Sequence, residues 1–201
     1  MTDVEAGPWI AVDAAGCGAD DLSFCGAVGV TVAAQTPWDE VVAASVAQGW
    51  VGLEWLSGLP GTVEAAVVGN HTAYGHWVGE SVARVRTRMV ATSRQRTYAA
   101  ADCAFEPHRS RFLADPAAHV LLDVNLLLRQ GDLSDPVVDE DFARLAGVPL
   151  GARLPAVDVR ALITSRRQAR GRVRGRSRGP GRRRPPNGGS GGRWPASGGR
   201  G

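Results

Sequence analysis

Histidine and cysteine are the residue types here that could hold a metal ion, and the chain has four of the first and three of the second. His71 and His76 lie five positions apart, as do Cys103 and His108. Structural metal sites use closer pairs, such as CxxC, and no such pair occurs. We therefore predict no metal site. An odd number of widely spaced cysteines also argues against a disulfide framework and favours a reducing, cytoplasmic location.

Glycines are spread through a moderately apolar segment, residues 52–75, that has neither a helical nor a strand period. They include Gly58, Gly61, Gly69 and Gly75, and Pro60 lies among them. Small residues in such a pattern let the backbone pass close to a ligand or to another strand. From these residues alone, a ligand-binding loop and a tight connection inside a core are equally good interpretations.

Strands are predicted on both sides of this segment. Alternating or continuous apolar residues indicate strands at 27–34 and 119–130 and a hairpin within 81–98. One face of the hairpin carries Arg84, Arg86 and Arg88. That face could bind phosphates, although a solvated strand face is the simpler interpretation.

Three helices are predicted from apolar spacing and end signals. The first runs from Trp38 to Gly49 with Thr36 as its N-cap, and the second covers 139–147. The third covers 155–167, with Pro155 near its start, and turns Val157, Leu162 and Ile163 inward. No apolar run reaches the roughly 18 residues that a membrane span needs, so we expect no membrane segment.

Charge divides the chain into two unlike parts. All 23 basic residues are arginine, and residues 1–165 hold 11 of them with all 20 acids, a net charge of −9. Residues 166–201 hold 12 arginines and no acid, a net charge of +12. With 11 glycines and few large apolar side chains, this part is predicted to be a disordered tail.

The tail allows three interpretations. Arginine–glycine runs neutralise phosphates and stack on bases, so it could be an arm that binds nucleic acid or other polyanions. It could also be a solvated segment without a role. The third hypothesis is out-of-frame translation of a GC-rich gene after about Ile163, because such codons encode this composition.

The body resembles a known enzyme family. The run PWDEVVAASVAQGWVGLEWLSGLPGTV followed by NHTAYG is similar to the GLExLSGIPGxVGAxPxQNxGAYG pattern of UDP-N-acetylenolpyruvoylglucosamine reductases. Further matches are Cys103-Ala104-Phe105 with Ser110-Arg111-Phe112, the run HVLLDVNLLL, and FARLAGVPLGARLPAVDVRALI. The resemblance covers about residues 27–163 in unbroken order.

The resemblance implies an α+β fold with an FAD-binding domain of the vanillyl-alcohol oxidase (PCMH) type. That domain would be partial and occupy residues 1–114, residues 115–165 would hold its end and the start of a substrate domain, and 166–201 would be the tail. In the family, NADPH reduces FAD, and the flavin passes hydride to the enolpyruvyl group of a UDP-sugar nucleotide. An arginine stabilises the enolate.

Site residues follow from the resemblance position by position. It implies that two loops approach FAD, the first with Ser57, Gly58, Pro60, Gly61 and Thr62, and the second with Asn70, Ala73, Tyr74 and Gly75.

Departures from the pattern predict a weakened enzyme. Glu64 replaces a family glycine near the expected diphosphate, where a carboxylate would repel it. The GYRxSxF stretch reads EPHRSRF, so His108 takes the arginine's position and Arg109 lies one residue along as a possible substitute. Histidine is mostly neutral near pH 7 and lacks the guanidinium's fork of donors.

Both ends also differ from the family, since neither its GGGSN loop nor its serine-bearing SxGSxFxNP segment has a counterpart here. We therefore expect an impaired reductase. The alternatives are a nucleic-acid-binding protein that acts through the tail and a non-catalytic remnant that binds flavin or sugar nucleotide.

Overall fold

The computed structural model describes residues 9–13 and 26–176. Its elements, in chain order, are β1 (Trp9–Asp13), β2 (Ala27–Ala33), α1 (Trp38–Ala47), β3 (Trp50–Val51), α2 (Val63–Val68), β4 (Thr72–Ala73), β5 (His76–Trp77), β6 (Val82–Met89), β7 (Gln95–Ala99), α3 (Arg111–Ala114), β8 (His119–Gln130), α4 (Glu140–Ala146) and α5 (Ala156–Arg176). Short 3-10 turns lie at Glu54–Leu56, Val78–Ser81 and Ala100–Cys103.

One antiparallel sheet organises this part of the chain. Its strand order is β1-β2-β8-β6-β7, and β3 pairs with the end of β8. Every pairing in it is antiparallel, with α-helices on the same chain, so the α+β prediction is correct. The predicted strands at 27–34 and 119–130 are confirmed as β2 and β8.

The main core lies on one face of the sheet. Strand β2 alternates, so that Val28, Val30 and Val32 are fully buried while the residues between them are half-buried. These valines share a cluster with Val41 and Val42 of α1. The alternation of β2 thus turns one row of side chains toward the helices.

Helix α1 begins at Trp38 as predicted, but its N-cap lies one residue later than expected. Pro37 is the N-cap and provides no side-chain hydrogen bond, so the prediction of Thr36 is wrong. The N–H of Trp38 donates instead to the carbonyl of Gly61 at 2.9 Å, which makes a side-chain cap unnecessary. After the helix, Gly49 has φ +68°, the left-handed conformation in which helices commonly end.

The predicted arginine hairpin is confirmed as β6 and β7. Arg84, Arg86 and Arg88 are exposed, and Val82 and Val85 are buried. Two valines three positions apart can both reach the core because the pairing of β6 with β8 shifts register just after Val82.

A second apolar cluster joins the C-terminal helices to the body. Phe142 of α4 and Val159 and Ile163 of α5 pack with Trp55 and, partly buried, Tyr74. Helix α4 is capped by Asp139 and Gly147, the two ends of the predicted range 139–147. The prediction for Val157 is wrong, because 57% of it is exposed.

The buried residues of α5 are Ala156, Val159 and Ile163, which recur at three and four residues as a helical stripe requires. Leu162, also predicted to face inward, is partly buried against the second cluster. The helix also passes Ser165, where we expected the tail to begin, and continues to Arg176. The first residues of the predicted tail, 166–176, are therefore part of this helix, and arginine is a good helix former. Residues 177–201 lie outside the described part.

No helix of the described residues is long and apolar enough to cross a bilayer.

Candidate functional site

The first predicted loop is held by a carboxylate of α1. The Gly58 N–H donates to Asp39 Oδ1 at 2.6 Å, and Gly58 has φ +69°. Arg160 of α5 donates to both oxygens of Asp39, at 2.6 and 3.0 Å. Asp39 therefore ties the loop, α1 and α5 to one point.

The charge of Asp39 is stabilised by these partners. Burial acts to raise the pKa of Asp39, but the hydrogen bonds from Arg160 and from the Gly58 N–H, with the charges of Arg160 and Arg167, outweigh it and hold the pKa below its usual value. The carboxylate is thus ionised in the folded protein near neutral pH.

Helix α5 covers Gly58 on the side where a side chain would stand. A Cβ added to Gly58 would lie 2.9 Å from Cδ of Arg167 and 3.7 Å from Cγ2 of Thr164. The Arg167 Nε is buried and has no hydrogen-bond partner. The arginine therefore packs its stem on the loop while one of its donors stays unused.

The tip of the first loop faces solvent. Pro60 and Gly61 are exposed, and Gly61 has φ +103°. A Cβ added to Gly61 would meet one atom within 4 Å, Cβ of Ala65 at 3.4 Å. Ser57 is fully buried and donates to the carbonyl of Glu54, and Thr62 caps α2 by accepting from the Ala65 N–H at 3.3 Å. Backbone is accessible at the tip and not at the base of this loop.

Glu64, which we expected to face a diphosphate, has partners within the chain. Its Oε2 accepts from Gln35 Nε2 at 2.6 Å, and its Oε1 accepts from the Leu121 N–H at 3.4 Å. The carboxylate therefore links α2 to the start of β8.

The second predicted loop begins with a buried clamp. Asn70 is fully buried with φ +38°, and its amide donates to the carbonyl of Glu106 at 2.7 Å while its oxygen accepts from the Gly79 N–H at 2.8 Å. It therefore joins this loop to the stretch that carries the predicted catalytic residues.

The rest of the second loop packs against the C-terminal helices. Tyr74, with φ +53°, lies edge-on to Phe142 at 5.3 Å between ring centroids. Gly75, with φ +83°, lies so close to Val138 that an added Cβ would be 2.5 Å from its Cγ2. Ala73 is half-buried against the main core. These residues join two parts of the protein.

The predicted catalytic residues lie on an exposed turn. Glu106 and Arg109 exchange two backbone hydrogen bonds, of 3.1 and 2.8 Å, around His108, which has φ +57°. Arg109 Nη1 lies 3.0 Å from Glu106 Oε2, and both side chains are largely exposed. Ser110 is buried and donates to the carbonyl of Val68 at 2.6 Å.

A cavity of about 380 Å³ adjoins this turn and is lined by Glu106, Arg109, Ser110 and Arg111, among others. Arg109 lines it and pairs with Glu106, Arg111 lines it as well, and the residue at the family arginine's position is His108.

Among the described residues, histidines, cysteines and carboxylates form no cluster that could bind a metal ion. Burial lowers the pKa of His71, and the nearby His108 lowers it further. Cys103 is buried, and burial raises the pKa of its thiol to about 11, so it is a poor nucleophile.

Glu54 is a residue that sequence reasoning missed. It is fully buried, and its two oxygens accept from the Gly52 N–H at 2.7 Å and the Asp135 N–H at 3.0 Å. The available signal was a single acid in the apolar run WVGLEWLSGL. Buried carboxylates are rare unless hydrogen-bonded, so this one fastens the base of the first loop to residues after β8.

Comparison with known proteins identifies relatives of one kind. The UDP-N-acetylenolpyruvoylglucosamine reductase of Cutibacterium acnes is 41% identical over 153 residues, which are 76% of this chain and 41% of the relative. The enzyme of the same name from Salinispora arenicola is 38% identical over 146 residues, 73% of this chain and 40% of the relative. The chain thus spans about two fifths of the length of the curated relatives it matches.

A solved structure is also similar, the UDP-N-acetylenolpyruvylglucosamine reductase of Thermus caldophilus. It has a TM-score of 0.49 and 18% identity, over 70% of this chain and 42% of that one. No protein-family model matches the chain.

Proposed function

This chain belongs to the UDP-N-acetylenolpyruvoylglucosamine reductase family over the stretch that it shares with those enzymes, and we propose that this stretch is a flavin-binding scaffold. The proposed reaction is the family's reduction of an enolpyruvyl group on a UDP-sugar nucleotide. We further propose that this chain performs it weakly, because His108 stands in the place of an arginine.

The proposed layout follows the vanillyl-alcohol oxidase type of flavin domain. We assign residues 1–114 to a partial flavin-binding domain and 115–165 to its end and the start of a substrate domain. Helix α5 would belong to the second part as far as Arg176. The cluster of Trp55 with Phe142, Val159 and Ile163 supports a fixed junction between the two parts.

The observation that carries the proposal is the exposed tip of the first loop. At Gly61 the backbone has a conformation that side chains disfavour, and the space beside it is open apart from Ala65. A flavin nucleotide can approach such backbone closely, so the residues at this tip fit the cofactor. Pro60, Gly61 and Thr62 would hold it, and Ser57 and Gly58 would fix the loop from below.

The second loop has a different role in this proposal. Val138 fills the space where a side chain on Gly75 would stand. The Asn70 side-chain amide already makes two hydrogen bonds to backbone groups. Tyr74 and Gly75 would therefore position the loop against the C-terminal part, Asn70 would fix it to the turn at Glu106, and Ala73 would anchor it to the main core.

Bound FAD would supply the hydride chemistry, with NADPH as reductant. The chain's own part is to bind, orient and stabilise charge. An enolate formed beside the Glu106–Arg109 turn would lack an arginine at the family position, because His108 is the residue there and Arg109, one residue along, pairs with Glu106. Losing one such donor costs about 100-fold to 1,000-fold in rate in well-studied enzymes.

The experiment is to purify the full chain and test for bound flavin. We expect a yellow protein whose flavin fluorescence changes on release, with slow NADPH oxidation that depends on the enolpyruvyl sugar nucleotide. A chain ending at Arg176 is the control for the arginine-rich end, and it should keep the flavin and lose salt-sensitive polyanion binding. Colourless protein that does not take up added FAD would contradict the proposal.

A further inference from the structure

Positive charge is concentrated on one part of the body, the β6–β7 hairpin. Residues 82–99 hold five arginines and no acid, whereas the rest of residues 1–165 holds six arginines and all 20 acids. The hairpin thus carries a net charge of +5 and the rest of that stretch −14. A charge separation of this size creates a local positive potential that draws an anionic partner to the hairpin.

Three of these arginines form a row on the outer face of β6. Arg84, Arg86 and Arg88 occupy alternate positions of the strand, and all three are exposed. The pairing of β6 with β7 is regular along them, and the residues opposite are Ala99, Thr97 and Gln95. We call the three side chains the arginine row. Because they leave one face of one strand, a single ligand can contact all of them.

The charges of the arginine row are only partly neutralised. Arg86 pairs with Asp123 of β8 through its Nε, at 2.8 Å, and through its Nη2. Arg84 and Arg88 form no ion pair with any residue in the described part of the chain. The row therefore keeps two unpaired positive charges, and Asp123 fixes the guanidinium between them.

The side chains around the row are polar. A cavity of about 190 Å³ lies beside Arg84 and Arg86, and its other lining residues are Thr31, Thr97, Asp123 and Asn125. The Asn125 amide donates to Thr31 Oγ1 at 3.0 Å. Arginine, threonine and asparagine are residue types that contact phosphate oxygens in nucleic-acid complexes. The cavity has no aromatic lining residue, so it offers no ring on which a base could stack.

The spacing of the row favours a phosphodiester chain. Alternate residues of an antiparallel strand lie about 7 Å apart. Successive phosphates along an extended single strand of nucleic acid are separated by a similar distance. A strand that follows β6 can therefore place one phosphate at each arginine.

A protein partner fits this surface less well. The centre of a stable protein interface is apolar, whereas the cavity beside the row is lined by polar side chains. The acidic stretch 132–141 of a second copy is also a poor partner. Its Asp135 and Asp141 are already in ion pairs, and its Asp139 caps α4.

We propose that the arginine row binds the phosphate backbone of single-stranded nucleic acid. The contacts are to phosphates and not to bases, so binding is independent of base sequence. The site lies apart from the first loop and does not rest on the proposed flavin function. Compared with residues 166–201, whose net charge is +12, the row offers few contacts, so a chain cut at Arg176 would keep only weak polyanion binding.

The test compares two double variants of the full chain, each of which removes two exposed arginines. Arg84→Gln with Arg88→Gln alters the row, and Arg144→Gln with Arg170→Gln is the matched control on α4 and α5. Both have the same net charge, so a difference between them reports the position of the arginines. Fluorescence anisotropy with a labelled oligothymidylate measures affinity over a range of salt concentrations, and thermal unfolding checks that each variant is folded.

We expect the row variant to bind oligothymidylate about tenfold more weakly at about 0.15 M salt, and the control to change less than twofold. The slope of log affinity against log salt should fall by about 1.4 in the row variant, because two phosphate contacts are lost. Arg84→Lys with Arg88→Lys keeps both charges and should retain most of the slope. Photo-crosslinking of the oligothymidylate to the unaltered chain should label peptides within residues 82–99.

Equal affinities and equal salt slopes for the two glutamine variants would overturn the proposal, and so would crosslinks confined to residues 166–201. The same tenfold loss with polyglutamate as the probe would overturn it in favour of an acidic protein partner. A lysine variant as weak as the row's glutamine variant would contradict the charge pairing on which the proposal depends.

Discussion

Replacing Glu54 with alanine is expected to lower the free energy of unfolding by about 3–5 kcal/mol, the largest stability effect of a single substitution that we predict. The change leaves the partly buried N–H groups of Gly52 and Asp135 without their acceptor, at about 1–3 kcal/mol each, and opens a cavity at the buried Glu54 side chain. Chemical denaturation followed by circular dichroism measures the loss.

Glu54→Gln should cost about half as much, because the amide oxygen can still accept one of the two hydrogen bonds. Glu40→Ala is the matched control, since it removes an exposed carboxylate from α1 and should change stability by no more than about 1 kcal/mol. If Glu54→Ala were no more destabilising than Glu40→Ala, the role of this carboxylate in fastening the loop would be refuted.

Alanine substitutions at Gly75 and Gly61 are expected to separate packing from cofactor contact. Both glycines have a positive φ, so each alanine carries a backbone strain of about 1–2 kcal/mol. Gly75→Ala also forces its Cβ to 2.5 Å from Val138, and we expect a total loss of about 2–4 kcal/mol. Gly61→Ala meets open space and should lose only the strain.

For FAD binding we expect the opposite order, with the larger effect at Gly61. Gly61→Ala should weaken FAD binding about tenfold while the protein stays folded, because its methyl group occupies the approach to the backbone. Val138→Ala combined with Gly75→Ala should recover part of the stability by removing the clash. Equal stability losses in Gly61→Ala and Gly75→Ala, or full FAD affinity in Gly61→Ala, would disagree with these assignments.

The sequence predicted the ends of a helix correctly where those ends are capped by residues next to them in the chain. Asp139 and Gly147 bracket α4 as expected, because capping depends on side chains and backbone within one turn. Thr36 failed as a cap because the first N–H of α1 is satisfied by Gly61, a residue from another loop. Such a tertiary hydrogen bond leaves no trace in the helix's own sequence.

Composition was misleading at the C-terminal end of the body. The excess of arginine from Arg166 onward predicts disorder, yet α5 continues to Arg176 and lays Thr164 and Arg167 across Gly58. Arginine is both a mark of disordered tails and a good helix former, and contact with a folded surface decides between the two.

The sequence predicted which residues form the candidate site, but it did not predict how they are arranged in space. Family resemblance selected Gly58, Gly61 and Gly75 equally, but only coordinates distinguish the open side of Gly61 from those filled by Arg167 and Val138. Long-range packing of this kind depends on residues far away in the chain, which no local pattern encodes.

The most direct measurement of the central claim is amide hydrogen exchange in the full chain with and without saturating FAD. The account predicts slower exchange in peptides that cover Pro60 and Gly61, with no change in the β6–β7 hairpin, because the cofactor would cover the exposed tip of the first loop. Unchanged exchange at that tip when FAD is present, or protection confined to other segments, would contradict it.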